Sequence, residues 1–209
     1  SNDDISEILT WLEGLRSSYF VECNEIGLRH LDKWVIDATT GNVTHESGKF
    51  FSVIGVEVKG AKDREVLSWT QPMIKQNECG ILGILTKKIK GVRHYLLQAK
   101  FEPGNNPKLQ ISPTLQATES NLKQAHKGKK PLLAEYFENE GRAKVLTSVV
   151  SVEDGGRFYL KTNRNMIVET EEEFEVPDNF IWLNLHQVKQ LMKKDGVVNS
   201  LTRSIFGSR

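Results

Sequence analysis

The chain has 209 residues, with 28 basic and 27 acidic side chains and a formal net charge of +1. At 38% hydrophobic and 26% charged residues it has the composition of a folded globular domain, not a disordered one. So even a charge balance gives no electrostatic case for wholesale binding to nucleic acid or a membrane surface, although a small anionic ligand needs only a few local donors. Cys23 and Cys79 are far apart and form no CxxC pair, so they imply no zinc or redox motif. Two reduced thiols in a cytoplasmic protein are the expectation. No apolar run nears the ~20 residues of a membrane helix. Ser1-Asn2-Asp3-Asp4 offers neither a basic nor an apolar leader segment, so no signal peptide is expected.

In chain order, Ile5, Ile8, Leu9, Leu12 and Leu15 repeat at helical spacing behind Asp3 and Asp4, which suit a cap. Residues 20–36 mix apolar and charged side chains, and Thr40-Gly41-Asn42 is a turn signal. Phe50 to Val58 is β-branched and aromatic and reads as a strand. Ile81 to Leu85 and His94 to Glu102, joined around Lys90-Gly91, read as a hairpin. Gly104-Asn105-Asn106-Pro107 is a further turn, and Leu109 to Thr118 reads as one strand. Val145–Val152, Arg157–Thr162 and Met166–Thr170 continue the strands, with Asp154-Gly155-Gly156 as a tight turn. Asn184 caps a last helix carrying Leu185, Val188, Leu191 and Met192, which stops at Asp195-Gly196. The expected class is α+β with a mixed or antiparallel sheet and flanking helices, as a single domain over residues 1–209.

Strand alternation places Gln98, Lys100 and Glu102 on one face, with Tyr95, Leu97, Ala99 and Phe101 on the other. It likewise aligns Gln110, Ser112, Thr114, Gln116 and Thr118. Two neighbouring polar ladders are therefore expected. Either they form a solvated sheet face or they line a site whose amides donate to and accept from sugar hydroxyls and carbonyls. Asn105 and the run Thr118-Glu119-Ser120-Asn121 add short polar groups that can aim backbone N–H groups at an anion, or merely connect strands. Arg157 and Arg164 flank a strand and suit diphosphate oxygens, the alternative being surface ion pairs. Trp69, beside Gln71, either stacks on a base or sits in the core. His45 and His126 stand singly, without metal-ligand spacing, and neither a Walker sequence, a GxGxxG unit nor a GxSxG elbow is present.

Several strings, read together, resemble the NDP-hexose 2,3-dehydratases of deoxysugar biosynthesis. They are His45-Glu46-Ser47-Gly48-Lys49-Phe50-Phe51, Trp69-Thr70-Gln71-Pro72, Gln98-Ala99-Lys100-Phe101-Glu102-Pro103-Gly104-Asn105 and Ser112-Pro113-Thr114-Leu115-Gln116-Ala117-Thr118-Glu119-Ser120-Asn121. Gly155-Gly156-Arg157-Phe158, Asn163-Arg164-Asn165 and Val198-Asn199-Ser200-Leu201-Thr202-Arg203-Ser204 complete the set, which runs from about Trp11 to about Phe206. The resemblance implies a fold related to Nudix hydrolases, without their metal-binding box. It also implies a substrate, dTDP-4-keto-6-deoxyglucose, and a reaction without redox cofactor or metal. Family members are typically tandem duplications, whereas this sequence is one repeat, so the resemblance implies a homodimer.

In that reaction the C4 ketone acidifies C3–H, a base forms the enolate, the C2 hydroxyl leaves, and the enol tautomerises to a 3,4-diketone. Within the resemblance, Glu102 is the expected base, and Lys100 the group that holds the enolate or protonates the leaving hydroxyl. Trp69, Gln71, Gln98, Asn105, Gln116, Thr118, Ser120, Asn121, Arg157 and Arg164 are the expected substrate contacts. A structural Lys100–Glu102 ion pair is the competing reading, with His45, Tyr95 and His126 as alternative acids or bases. At the level of function, the alternatives are a sugar-nucleotide-binding relative without turnover and a 4-keto sugar isomerase.

Overall fold

The computed structural model describes residues 4–122, 130–138 and 142–208. In chain order its elements are α1 (Ser6–Ser18), a 3-10 turn (Leu28–His30), β1 (Trp34–Ile36), β2 (Val43–His45), β3 (Ser52–Lys59), β4 (Ser68–Lys75), β5 (Gly80–Ile89) and β6 (Val92–Phe101). They continue with β7 (Leu109–Ser112), β8 (Leu115–Thr118), α2 (Glu119–Leu122), α3 (Glu135–Glu138), β9 (Lys144–Val152), β10 (Phe158–Tyr159), β11 (Thr162–Glu169), β12 (Phe180–Asn184), α4 (Leu185–Met192) and α5 (Ser200–Gly207). Mixed sheets with a few helices make this the expected α+β class.

The chain groups into two compact units. One comprises Ser1–Cys23, Gly80–Val150 and Arg164–Arg209, and the other Asn24–Cys79 and Ser151–Asn163. The second unit is built on a five-stranded sheet in the order β1-β2-β3-β4-β10. Strand β4 has no counterpart among the expected strands, and it contains Pro72, which removes a ladder donor. It nevertheless pairs with β3 over its whole length, Pro72 standing opposite Gly55. The expected strand Arg157–Thr162 shrinks to the two residues of β10, since Leu160 turns into the left-handed region at φ 56°.

The first unit carries the longer sheet, in the order β12-β6-β5-β11-β9, with β7 paired to β6 and β8 to β5. The expected hairpin is present. Lys90 (φ 50°) and Gly91 (φ 78°) both take positive φ, and Ile89 faces Val92 across the two-residue turn. The sheet is buried on both faces, so the alternate residues of its central strands feed different cores. Ile84, Tyr95, Leu97, Ile111, Leu183 and Ile205 belong to one cluster, and Leu85, Leu96, Leu115, Phe137 and Val168 to the other. That explains the unbroken apolar runs Ile81–Leu85 and Tyr95–Leu97.

Leu109 to Thr118 is not one strand but two. β5 and β6 pair only from Leu85↔Leu96 to the turn. Beyond that point they splay. β7 then pairs with the free part of β6, and β8 with the free part of β5. Pro113-Thr114 is the apex of this wedge. The buried Thr114 hydroxyl accepts from Leu85 N–H at 2.9 Å and donates to Leu96 C=O, where the two strands part. Gln98 Nε2 donates to the carbonyls of Pro113 and Thr114, each at 3.0 Å. The polar ladder is thus partly architecture. Replacing Thr114 with the nearly isosteric valine leaves Leu85 N–H and Leu96 C=O short of a partner at the apex. The expected cost is about 1–3 kcal/mol, read as a lower midpoint in urea with an unchanged slope.

The C-terminal segment clamps the outer side of β7. Ile111 N–H donates to Val197 C=O at 2.8 Å, and Asn199 N–H to Ile111 C=O at 3.0 Å. Asn199 also caps α5, accepting from Thr202 N–H at 2.9 Å, and donates from Nδ2 to Ser112 Oγ at 3.0 Å. The expected cap of α4 is a full capping box, with Asn184 Oδ1 accepting from Gln187 N–H and Gln187 Oε1 accepting from Asn184 N–H, both at 2.9 Å. At the N-terminus Asp4 Oδ1 accepts from Ser6 N–H at 2.9 Å, while the other expected cap residue, Asp3, lies outside the described residues.

Candidate functional site

The C-terminal end of β6 lies beside a cavity of about 360 Å³ lined by Leu15, Ser18, Tyr19, Gln98, Ala99, Lys100, Phe101, Leu109 and Asn179. Its walls have local causes. The end of α1 is tethered by Arg16, whose Nη2 donates to Leu109 C=O at 2.9 Å and to Gly196 C=O at 2.7 Å. Tyr19 then packs on Phe101, ring centroids 5.8 Å apart. On the other side Ala99 N–H donates to Asn179 C=O at 2.8 Å. The volume falls within the range of roughly 300–1,000 Å³ typical of small-ligand sites.

Lys100, which lines this cavity, is paired with Glu102, which is not among the lining residues; the pairing follows from their shared face. Lys100 Nζ stands 2.9 Å from Glu102 Oε1, the two side chains 31% and 33% exposed. Gln110 faces Lys100 across β7, and Ser112 faces Gln98, so the first half of the expected double ladder is assembled. The second half is not, because Gln116 and Thr118 ride on β8 and lie opposite Leu82 and Gly80 of β5. Gln116 Oε1 is buried with no hydrogen-bond partner among the described residues. Asn105 stays in the turn after β6, its N–H bonded to Glu102 C=O at 3.0 Å and its Nδ2 to Lys108 C=O at 3.4 Å. Asn121 is exposed, with its N–H 3.4 Å from Thr118 Oγ1. The Ser120 side chain and His126 lie outside the described residues.

Three expected contacts come together in the second unit. Trp69 Nε1 donates to Gln71 Oε1 at 2.7 Å, and Gln71 Nε2 donates to Gly156 C=O at 2.8 Å. Gly156 belongs to the tight turn that ends at Arg157. Asp154 Oδ1 accepts from Gly156 N–H and its Oδ2 pairs with Arg157 Nη1, both at 2.9 Å. These bonds, the one from Gly156 foremost, hold the Asp154 carboxyl below its ordinary value. Arg164, in the first unit, is exposed and donates to Ser148 Oγ at 3.2 Å. The expected constellation is therefore divided between the two units.

The alternative acids and bases have structural surroundings. His45 Nδ1 lies 2.8 Å from Ser47 Oγ, and its ring stands edge-on to Phe50 and Trp34. Tyr95 is core, 2% exposed against Phe206. Among the described residues no group of three or more His, Cys, Asp or Glu is placed to hold a metal ion. No described helix is long and apolar enough to cross a membrane.

Two features gave no sequence signal. Lys161 is 4% exposed in the second unit, donates to Glu78 C=O, and is held below the ordinary lysine value by burial. At the N-terminal end of β6 a wider cavity of about 1090 Å³ is lined by residues including Arg93, His94, Trp182, Asn184 and His186. His94 and Asn184 are paired across β6 and β12, a meeting of segments 90 residues apart that no local pattern announces.

The residues match the family of the NDP-hexose 2,3-dehydratases from position 5 to position 208, and the chain belongs to that family. Its relatives include three proteins named dTDP-4-dehydro-6-deoxy-alpha-D-glucopyranose 2,3-dehydratase. The one from Saccharopolyspora spinosa is 47% identical over 96% of this chain and 41% of its own length. That from Amycolatopsis orientalis is 41% identical over 96% and 43%. That from Streptomyces violaceoruber is 36% identical over 97% and 46%. The chain thus spans less than half the length of the curated relatives it matches. Partial likenesses among solved structures include an ADP compounds hydrolase (9% identity, TM-score 0.43, 75% of this chain and 83% of that one) and a Nudix hydrolase from M. smegmatis (17%, 0.38, 71% and 92%). Likenesses of that grade say nothing of chemistry.

Proposed function

We propose that this chain removes water from a dTDP-linked 4-keto-6-deoxyglucose, acting as a cytoplasmic homodimer. Family membership and the names of the relatives support the reaction class. The observation that carries the site is the Lys100–Glu102 pair beside the β6 cavity. The pair sets a base and a cation side by side, so the group that takes the proton lies next to the group that can hold the charge that appears next. Glu102 takes the proton from C3. The electron pair moves toward the C4 oxygen as Lys100 loses its anionic partner and turns to the enolate. The electron pair then returns from the C4 oxygen to form C2=C3 as the C2–O bond breaks, the hydroxide leaves as water with the proton that Glu102 took from C3, and the C2=C3 enol tautomerises to the 3,4-diketone. No electron is gained or lost, so the reaction needs no redox cofactor.

The test is mass spectrometry of dTDP-4-keto-6-deoxyglucose incubated with the purified protein. Loss of one water is the expected result. Binding of dTDP without mass loss would favour a binding-only relative, and a new sugar of unchanged mass would favour isomerisation.

A further inference from the structure

Next to Lys100, the β6 cavity has a largely apolar wall of Leu15, Tyr19, Ala99, Phe101 and Leu109. The other polar side chains that border it give donors to backbone carbonyls. Ser18 Oγ donates to Leu15 C=O at 3.1 Å, Gln98 Nε2 to Pro113 and Thr114, and Asn179 Nδ2 to Ala99 C=O at 3.4 Å. Tyr19 belongs to this wall while 45% exposed, so burial alone fixes it less than it would a core ring. It is nevertheless held on both sides in sequence. Arg16 ties the end of α1 to Leu109 and Gly196, and Lys108 Nζ donates to Val21 C=O, two residues beyond the ring. A part-exposed aromatic ring held on a cavity wall, tilted 33° against Phe101, is a preorganised surface for the apolar side of a ligand.

We propose that this wall receives the C5–C6 end of the sugar, and that Tyr19 and Phe101 select for the methyl group that a 6-deoxyhexose carries at C6. The orientation rests on the roles proposed for Lys100 and Glu102. Along the sugar, C3, C4, C5 and C6 follow in order. Along the site, Glu102 stands outside the cavity lining, Lys100 belongs to the lining 2.9 Å away, and the apolar wall makes up most of the rest. With the C3 hydrogen at Glu102 and the C4 oxygen at Lys100, C5 and its methyl fall on the cavity side. A methyl group gains by leaving water against carbon. A hydroxyl at C6 would give up its water among apolar side chains, beside polar groups whose donors are already directed to the backbone, and that exchange is unfavourable. An apolar pocket discriminates against one such added group by about 10–100-fold.

Titration calorimetry with dTDP-6-deoxyglucose and dTDP-glucose, which differ only by the C6 hydroxyl, tests the proposal on the parent, Tyr19→Phe and Tyr19→Ala. The parent is expected to bind the 6-deoxy ligand about 10–100-fold more tightly. Tyr19→Phe, which keeps the ring, retains that preference, and Tyr19→Ala, which opens the wall to water, binds the two ligands alike. Affinity for dTDP alone stays the same in all three. Tyr19 is part exposed, thermal unfolding verifies that the variants are folded, and the comparison of ligands on the parent needs no variant. A parent that binds dTDP but shows no preference would overturn the C6 selection and leave the dehydratase reading standing. A preference that survives in Tyr19→Ala, or a loss of affinity for dTDP itself, would remove Tyr19 from the sugar's C6 end. A parent that binds neither dTDP nor its sugars would overturn both readings. Preference for the 6-deoxy ligand without loss of water in the mass-spectrometric assay would support the C6 wall and overturn the reaction.

Discussion

Glu102→Gln is expected to slow water loss by about 10²–10⁴-fold, the usual worth of a positioned general base, while leaving dTDP affinity unchanged. Glutamine keeps the length of the side chain and still accepts a hydrogen bond from Lys100 through its carbonyl oxygen, but it cannot carry away the C3 proton. The loss should therefore fall on kcat with little change in KM, since the missing interaction is one made in the transition state. The competing role, a structural ion pair, makes a different prediction. With the two side chains 31% and 33% exposed, such a pair contributes about 0–1 kcal/mol, so its removal would shift stability slightly and turnover hardly at all. Turnover and Tm measured on the same variant separate the two roles. A variant that turns over like the parent would remove Glu102 from the reaction. Lys100→Met provides the complementary arm, since losing the ammonium withdraws stabilisation from the enolate and should lower kcat without abolishing nucleotide binding.

What was legible in the sequence follows the range of the forces involved. Local devices were readable: positive φ at Lys90-Gly91 makes the hairpin, and Asn184 with Gln187 makes the box at α4. Strand period put Lys100 and Glu102 together because they are two residues apart. It failed where the partner is remote. Nothing in Leu109–Thr118 says that β5 and β6 splay to admit a wedge, so Thr114 read as a ladder member when it is the apex. Gln71 meets Gly156 and Asn199 meets Ser112 across 85 and 87 residues. Several residues of the family's specific strings, among them Gln98, Ser112, Thr114 and Asn199, are occupied in holding the wedge and its clamp. A specific string thus reports fold and chemistry together. Of the residues those strings contribute at the end of β6, Lys100 and Glu102 have part-exposed side chains paired with each other, while the backbone of Lys100 lies opposite Gln110 of β7.

The second core sets the other large effect. Gly83→Val is expected to destabilise the protein by roughly 3 kcal/mol or more, at or beyond the top of the usual range for overpacking. Intrinsic strand preference runs the other way, favouring valine over glycine by up to about 1 kcal/mol, so the sign is decided by contact. A Cβ at Gly83 would lie 2.2 Å from Phe137 Cε1, 2.5 Å from Cδ1 and 2.7 Å from Cζ. The strand has little freedom to retreat, because Gly83 is paired with Leu115 of β8 and is followed closely by Leu85, whose N–H is bonded to Thr114. The ring must move instead, and it is packed in a cluster with Leu85, Leu96, Leu115 and Val168. Urea unfolding of Gly83→Val, Phe137→Leu and the double variant gives the coupling. If the collision is the cause, the smaller side chain makes room and the double variant is more stable than the sum of the single losses allows. Strict additivity would mean that Gly83 is there for a reason other than the aromatic ring above it.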